Sequence, residues 1–137
     1  MGKLQVTYDA SQHSIAVQES NGKSVASDAC SSTGGKSEEL SPAVLVGAGL
    51  ASCMLFSMGG LALREGLDLR DTRVDVDISL GVDRIESIDM EFTMPQHFAT
   101  SDRKKLEKFA ELCPVKHSFR DDIPITTRFS YPNHVIA

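Results

Sequence analysis

The first thirty residues alternate between apolar and polar. Leu4, Val6 and Tyr8 share one face of a short strand, Ile15 and Val17 share a face of the next, and Val25 marks a weaker third. Tyr8-Asp9-Ala10-Ser11-Gln12 and Ser20-Asn21-Gly22-Lys23 read as turns. Asn21-Gly22 is the strongest hairpin signal, because both residues tolerate positive φ. The pattern predicts a β-meander of about three strands. A flexible polar loop, Ser31 to Ser37, follows it.

The pattern then changes sharply. Leu40 to Leu63 is 24 residues without a charge. Ser41-Pro42 opens a helix as N-cap and N1, where proline loses no helical hydrogen bond. Glu38 and Glu39 lie just upstream and Arg64 near the far end, each suiting its pole of the helix dipole, and Gly66 is the expected C-cap. A helix apolar on every side is either a membrane span or fully buried. Length allows a span. The internal Gly47, Gly49, Ser52, Ser57, Gly59 and Gly60, with amphipathic elements on both flanks, favour a buried central helix. Ala43, Gly47 and Ala51 are four apart, as are Gly49, Cys53 and Ser57, so a second backbone can approach closely. One small chain has few ways to cover such a helix, which leads us to expect a homodimer.

Residues 72–80 alternate strictly, with Val74, Val76, Ile78 and Leu80 expected inward and Arg73, Asp75, Asp77 and Ser79 outward. Gly81 to Arg84 turns the chain. Ile85, Ile88, Met90, Phe92 and Met94 supply a second long strand, ended by Pro95, with an irregularity near Glu86-Ser87 that reads as a bulge. Thr100-Ser101-Asp102 is expected to cap a second helix, whose Leu106, Phe109, Ala110 and Cys113 follow helical spacing up to Pro114. Ile123 to Tyr131 reads as a last strand and Asn133 onward as a tail. Strands arrive in hairpin runs rather than in βαβ alternation, so the expected class is α+β with largely antiparallel sheet, in one domain spanning residues 1–137.

Composition narrows the partners. The 137 residues carry a net charge of −5, with 41% apolar and 24% charged side chains. That excludes global disorder and argues against nucleic acid and anionic membranes, which need concentrated positive charge. Arg103-Lys104-Lys105, with Lys108, is the densest basic run and reads as a solvated helix face. Three cysteines do not make a secreted disulfide framework, and the N-terminal residues hold no long apolar signal region, so a reducing cytoplasm is the expected compartment.

Two cysteines stand in unusual contexts. Cys53 lies mid-helix in Leu50-Ala51-Ser52-Cys53-Met54, where it reads either as a packed core thiol or as a working one. Cys113 precedes Pro114-Val115-Lys116-His117-Ser118. With Pro114 at N1 of a short helical turn, Cys113 becomes its N-cap, and free N–H groups there lower a thiol below its usual value of about 8.5. Lys116 and His117 can add positive potential; the bland reading is a helix stop with surface side chains. Cys113 and His117 could also ligate a metal at i, i+4, but a structural zinc site wants four ligands and no CxxC or HxxxH occurs. Gly34-Gly35-Lys36-Ser37 only superficially resembles a phosphate loop, since Cys30 stands where its first glycine belongs.

These segments together resemble the OsmC/Ohr family of thiol-dependent peroxidases. The resemblance rests on Gly34-Gly35-Lys36, on Leu40-Ser41-Pro42 through Ser52-Cys53, and on Cys113-Pro114-Val115-Lys116-His117-Ser118. It implies an intertwined α+β homodimer with antiparallel sheets around long buried central helices and two active sites at the subunit interface. It also implies that Cys53 attacks a peroxide and Cys113 resolves the product as a disulfide, reduced in turn by an external dithiol. No metal or organic cofactor is needed. The family pairs its reactive thiolate with an arginine of the N-terminal sheet region and a glutamate at the helix start. Here no arginine precedes Arg64, and Ala43 follows the proline. Glu39, Lys36 and His117 are the supporting candidates, although a lysine does not reproduce a bidentate guanidinium. Cys30 has no assigned partner. The alternative is a non-enzymatic protein of the same fold that binds a small apolar ligand at the dimer interface.

Overall fold

The computed structural model describes residues 2–133, so the chain beyond Asn133, read above as a tail, lies outside them. The chain divides into two compact units, the first running to Val46 and the second beginning at Gly47.

In the first unit, β1 (Leu4–Tyr8), β2 (His13–Gln18) and β3 (Ser24–Asp28) form an antiparallel meander in the order β1-β2-β3. Gly22 takes φ +69° in the β2–β3 turn and its N–H donates to the Gln18 carbonyl at 2.8 Å. The apolar residues of the meander, Leu4, Val6, Tyr8, Ile15 and Val17, are exposed. A short 3₁₀ turn, Ser31–Thr33, ends at Gly34 in the left-handed region. A side chain at Gly35 would run into the Ala29 carbonyl oxygen, so the loop admits only glycine there. The buried Asp28 carboxylate accepts the Glu38 and Glu39 N–H groups and fastens the chain ahead of the long helix.

That helix, α1 (Pro42–Glu65), begins as the sequence predicts: Ser41 Oγ accepts the Val44 N–H at 3.3 Å. Gly66 closes it at φ +70°. By length and composition it could cross a bilayer. In the second unit its Leu50, Met54, Met58 and Leu61 pack instead into a core with Ile88, Met90, Phe92, Met94, Leu106, Ala110 and Cys113. Each Leu, Ile, Met or Phe among them contributes roughly 1.5–3 kcal/mol by leaving water. Phe92 stacks on Phe129 with centroids 4.6 Å apart.

The sheet under α1 has the order β4-β5-β6, from β4 (Arg73–Leu80), β5 (Ile85–Thr93) and β6 (Ile125–Ser130). β4 and β5 pair antiparallel, with Glu86 left out of the ladder as the expected bulge. β5 and β6 pair parallel, from Ile88 with Ile125 to Thr93 with Ser130. This parallel pair is the exception to the antiparallel expectation. A tight turn forces β4 and β5 to reverse, whereas α2 (Thr100–Ala110) and α3 (Pro114–His117) carry the chain back before β6 enters.

Three local expectations fail. Leu80 is exposed, because the ladder ends at the bulge. Ala99, not the Thr100-Ser101-Asp102 group, is the N-cap of α2 and makes no side-chain cap, while Asp102 still suits the first turn. β6 starts at Ile125 rather than Ile123, because Pro124 has no N–H to give the ladder; its carbonyl accepts from Ile88 at 3.0 Å.

Candidate functional site

Cys53 is half-buried on the core side of α1, and Cys113 is fully buried in the connector between α2 and α3. Ser57, one turn after Cys53, donates its hydroxyl to the Cys53 carbonyl at 3.1 Å and lies 3.5 Å from the Leu112 carbonyl, so helix and connector touch here. Both thiols are free, and Cys53 lies near enough to Cys113 to act on its ionisation.

Cys113 is the N-cap of α3, with Pro114 at N1 and the Lys116 N–H donating to its sulfur at 3.3 Å. The expected consequence, a thiol more acidic than usual, does not follow. Burial pushes the Cys113 thiol up, and the neighbouring Cys53, with the repulsion of its charged form, pushes it further. The N-cap bond pulls the other way and loses. A thiolate at Cys113 would sit in the core beside a second sulfur, a cost that one backbone N–H does not offset.

Lys116 does not act as a free cation. Its ammonium pairs with the Glu111 carboxylate, and burial lowers its own proton affinity. The second Glu111 oxygen accepts the Thr127 hydroxyl at 3.2 Å. His117 is exposed, and its backbone N–H closes the turn onto the Cys113 carbonyl at 3.1 Å. Thus Cys53, Cys113 and His117 belong to the second unit, with the two thiols near each other. Lys36 and Glu39 belong to the first, where Lys36 is exposed and the Glu39 N–H serves Asp28.

Sequence reasoning missed Glu111, Thr127 and Ser57. Glu111 and Lys116 are five residues apart across a helix break, which is no recognised pairing interval. Cys30, left without a role, is exposed, and its thiol is lowered to about 7 by the Ser32 hydroxyl at 2.9 Å and the Thr33 hydroxyl at 3.5 Å. Among the described residues no three His, Cys, Asp or Glu side chains gather as metal ligands.

Two neighbouring thiols, one partly open and one buried, are what a dithiol–disulfide couple requires. The comparisons with known proteins bear on the same segment. The family model described as OsmC-like protein matches residues 34–128, which include both thiols. A proposed osmotic stress induced and detoxification response protein from Psychrobacter arcticus is 27% identical, with TM-score 0.90 over 95% of this chain and 96% of its own. An organic hydroperoxide resistance protein OsmC from Legionella pneumophila shares the fold at TM-score 0.73 and 15% identity, over 95% and 96% of the two chains. The organic hydroperoxide resistance protein OhrB of Bacillus subtilis does so at 0.68 and 14%, over 95% and 98%. No curated protein matches the sequence.

Proposed function

The chain belongs to the OsmC-like protein family, and on that premise we propose that it is a thiol-dependent peroxidase acting on organic or hydrogen peroxides. The observation that carries the reading is the meeting of the Cys53 turn of α1 with the Cys113 connector, where Ser57 reaches the Leu112 carbonyl and Cys53 packs against the core that holds Cys113. Structural relatives named as organic hydroperoxide resistance proteins support a redox role.

In this reading the Cys53 thiolate attacks one peroxide oxygen. The O–O bond breaks, an alcohol (water, from hydrogen peroxide) leaves with a proton, and the sulfur is oxidised by two electrons to a sulfenic acid. The Cys113 sulfur then attacks that sulfenic acid. The S–S bond forms, and water leaves with the sulfenic hydroxyl and the Cys113 proton. An external dithiol reduces the disulfide and becomes a disulfide itself.

The unequal burial supports this division of roles. Cys53 is the sulfur that solvent can reach. Burial and the charge of a Cys53 thiolate both raise the Cys113 thiol. Conversion of Cys53 to a neutral sulfenic acid removes that repulsion, so the resolving thiol becomes easier to ionise once it is needed. We further propose that the protein works as a homodimer, since Leu4, Val6, Tyr8, Phe56 and Leu63 are large apolar side chains left exposed in the single chain, and that it does so in a reducing cytoplasm, which suits its free thiols.

A second reading has its own observation. An apolar groove of about 600 Å³ runs along the end of α1, lined by Phe56, Leu63, Leu67 and Leu69 among others. A binding protein would hold a small apolar ligand there and leave its thiols slow. Peroxide titration with mass mapping of disulfides separates the two. Cys53→Ser should abolish consumption of cumene hydroperoxide with the fold intact. Cys113→Ser should react once and trap a sulfenic acid. Equal turnover in Cys53→Ser and wild type would overturn the peroxidase reading.

A further inference from the structure

The connector that presents Cys113 carries an ion pair that the thiol chemistry above leaves unused. Lys116 Nζ pairs with Glu111 Oε2, and Cys113 lies between the two in the chain. The Lys116 side chain is only 18% exposed. An ammonium that far from water needs a partner, and Glu111 supplies one. The other Glu111 oxygen is held by the Thr127 hydroxyl at 3.2 Å. Thr127 lies on the same side of β6 as Ile125 and Phe129, which pack against the core. Lys116 in turn donates its backbone N–H to Cys113 Sγ at 3.3 Å. A continuous chain of polar contacts therefore runs from the sheet, through Glu111 and Lys116, to the sulfur of Cys113.

Besides the burial of Cys113 and the Ser57 contact at Leu112, the hydrogen bonds that hold the connector are local backbone ones. Glu111 to Cys113 lies outside both helices, Leu112 in its middle is exposed, and α3 is four residues long. A helix so short does not hold itself together. Side-chain anchors therefore add to core packing in setting where Cys113 sits relative to Cys53.

We propose that Glu111 and Lys116, anchored by Thr127, form a latch that positions the Cys113 thiol against Cys53 and so sets how readily the pair closes into a disulfide. Glu111, Lys116 and Thr127 are positioning residues. A thiol held at its partner has a high effective concentration, and loosening the hold lowers it without changing either sulfur. The inference rests on reading Cys53 and Cys113 as a redox couple, but not on peroxide as the oxidant.

The test is a redox titration of the full chain, carrying Cys30→Ser so that one disulfide dominates, in buffers of oxidised and reduced glutathione. Each closure consumes one oxidised glutathione, forms the Cys53–Cys113 bond and releases two reduced glutathiones. Mass spectrometry reads the fraction closed. Glu111→Ala should lower the closure constant about tenfold, which is a rise of about 30 mV in potential. Thr127→Val, nearly isosteric and without charge change, should lower it several-fold and carries the test if Glu111→Ala fails to fold. Glu111→Lys combined with Lys116→Glu should return the constant to within about twofold of the parent, because the contact is remade with its charges exchanged. A parent-like constant in Thr127→Val or Glu111→Ala would overturn the latch. So would a charge swap that stays as weak as Glu111→Ala. If these shifts appear while peroxide fails to close the parent disulfide, the peroxidase reading falls and the latch stands.

Discussion

Replacing Asp28 by alanine removes the two hydrogen bonds that fasten the segment ahead of α1 to the end of β3. The Asp28 residue is 5% exposed, and its carboxylate accepts Glu38 N–H at 2.9 Å and Glu39 N–H at 3.2 Å. A hydrogen bond to a charged group contributes about 1.5–3 kcal/mol, so the pair is worth about 3–6 kcal/mol before corrections. Two effects reduce that. Alanine no longer carries the cost of burying a carboxylate. Glu38 and Glu39 are exposed, so water can take up part of what their N–H groups lose. The expected net loss is about 2–3 kcal/mol. Asp28→Asn keeps the shape and one acceptor oxygen but turns an NH₂ toward the second donor, so about half the loss is expected. Urea unfolding followed by far-UV circular dichroism measures both. With a slope of about 1–3 kcal/mol/M, the midpoint of Asp28→Ala should fall by about 0.7–3 M at unchanged slope. A loss below about 0.5 kcal/mol, the scatter of ordinary surface substitutions, would mean that burial cost cancels the bonds, and would refute the reasoning.

Stability should also depend on pH through Cys113. Burial and Cys53 raise this thiol in the folded state, so its contribution is complete below the unfolded value of about 8.5 and is lost as pH rises through the folded value. Wild type should therefore lose stability above about pH 8.5 more steeply than Cys113→Ser; parallel urea midpoints from pH 7.5 to 9.5 would contradict this. The proposed homodimer predicts sedimentation equilibrium at twice the chain mass at micromolar concentration, and a stable folded monomer there would exclude it.

The order of strands and helices, the start of α1 at Ser41-Pro42, its stop at Gly66, the turn at Asn21-Gly22 and the bulge at Glu86 were all readable in advance. Each is governed by a residue and its near neighbours: a hydroxyl reaching an N–H three residues on, a glycine tolerating positive φ, an alternation that must match the pleat. The motif around each cysteine is local in the same sense, which is why the family resemblance could be drawn from short segments. The parallel course of β6 depends instead on where two intervening helices leave the chain. The acidity of Cys113 shows the same division within a single residue. Its N-cap position is written in Cys113-Pro114 and predicts a more acidic thiol; the packed core around it and a second sulfur sixty positions away reverse the sign. The pairing of Glu111 with Lys116 and Thr127 has no spacing that announces it. Desolvation and ion pairing depend on what the fold brings within a few ångströms of a group, and that is a property of packing between distant segments, not of the residues beside it in the chain.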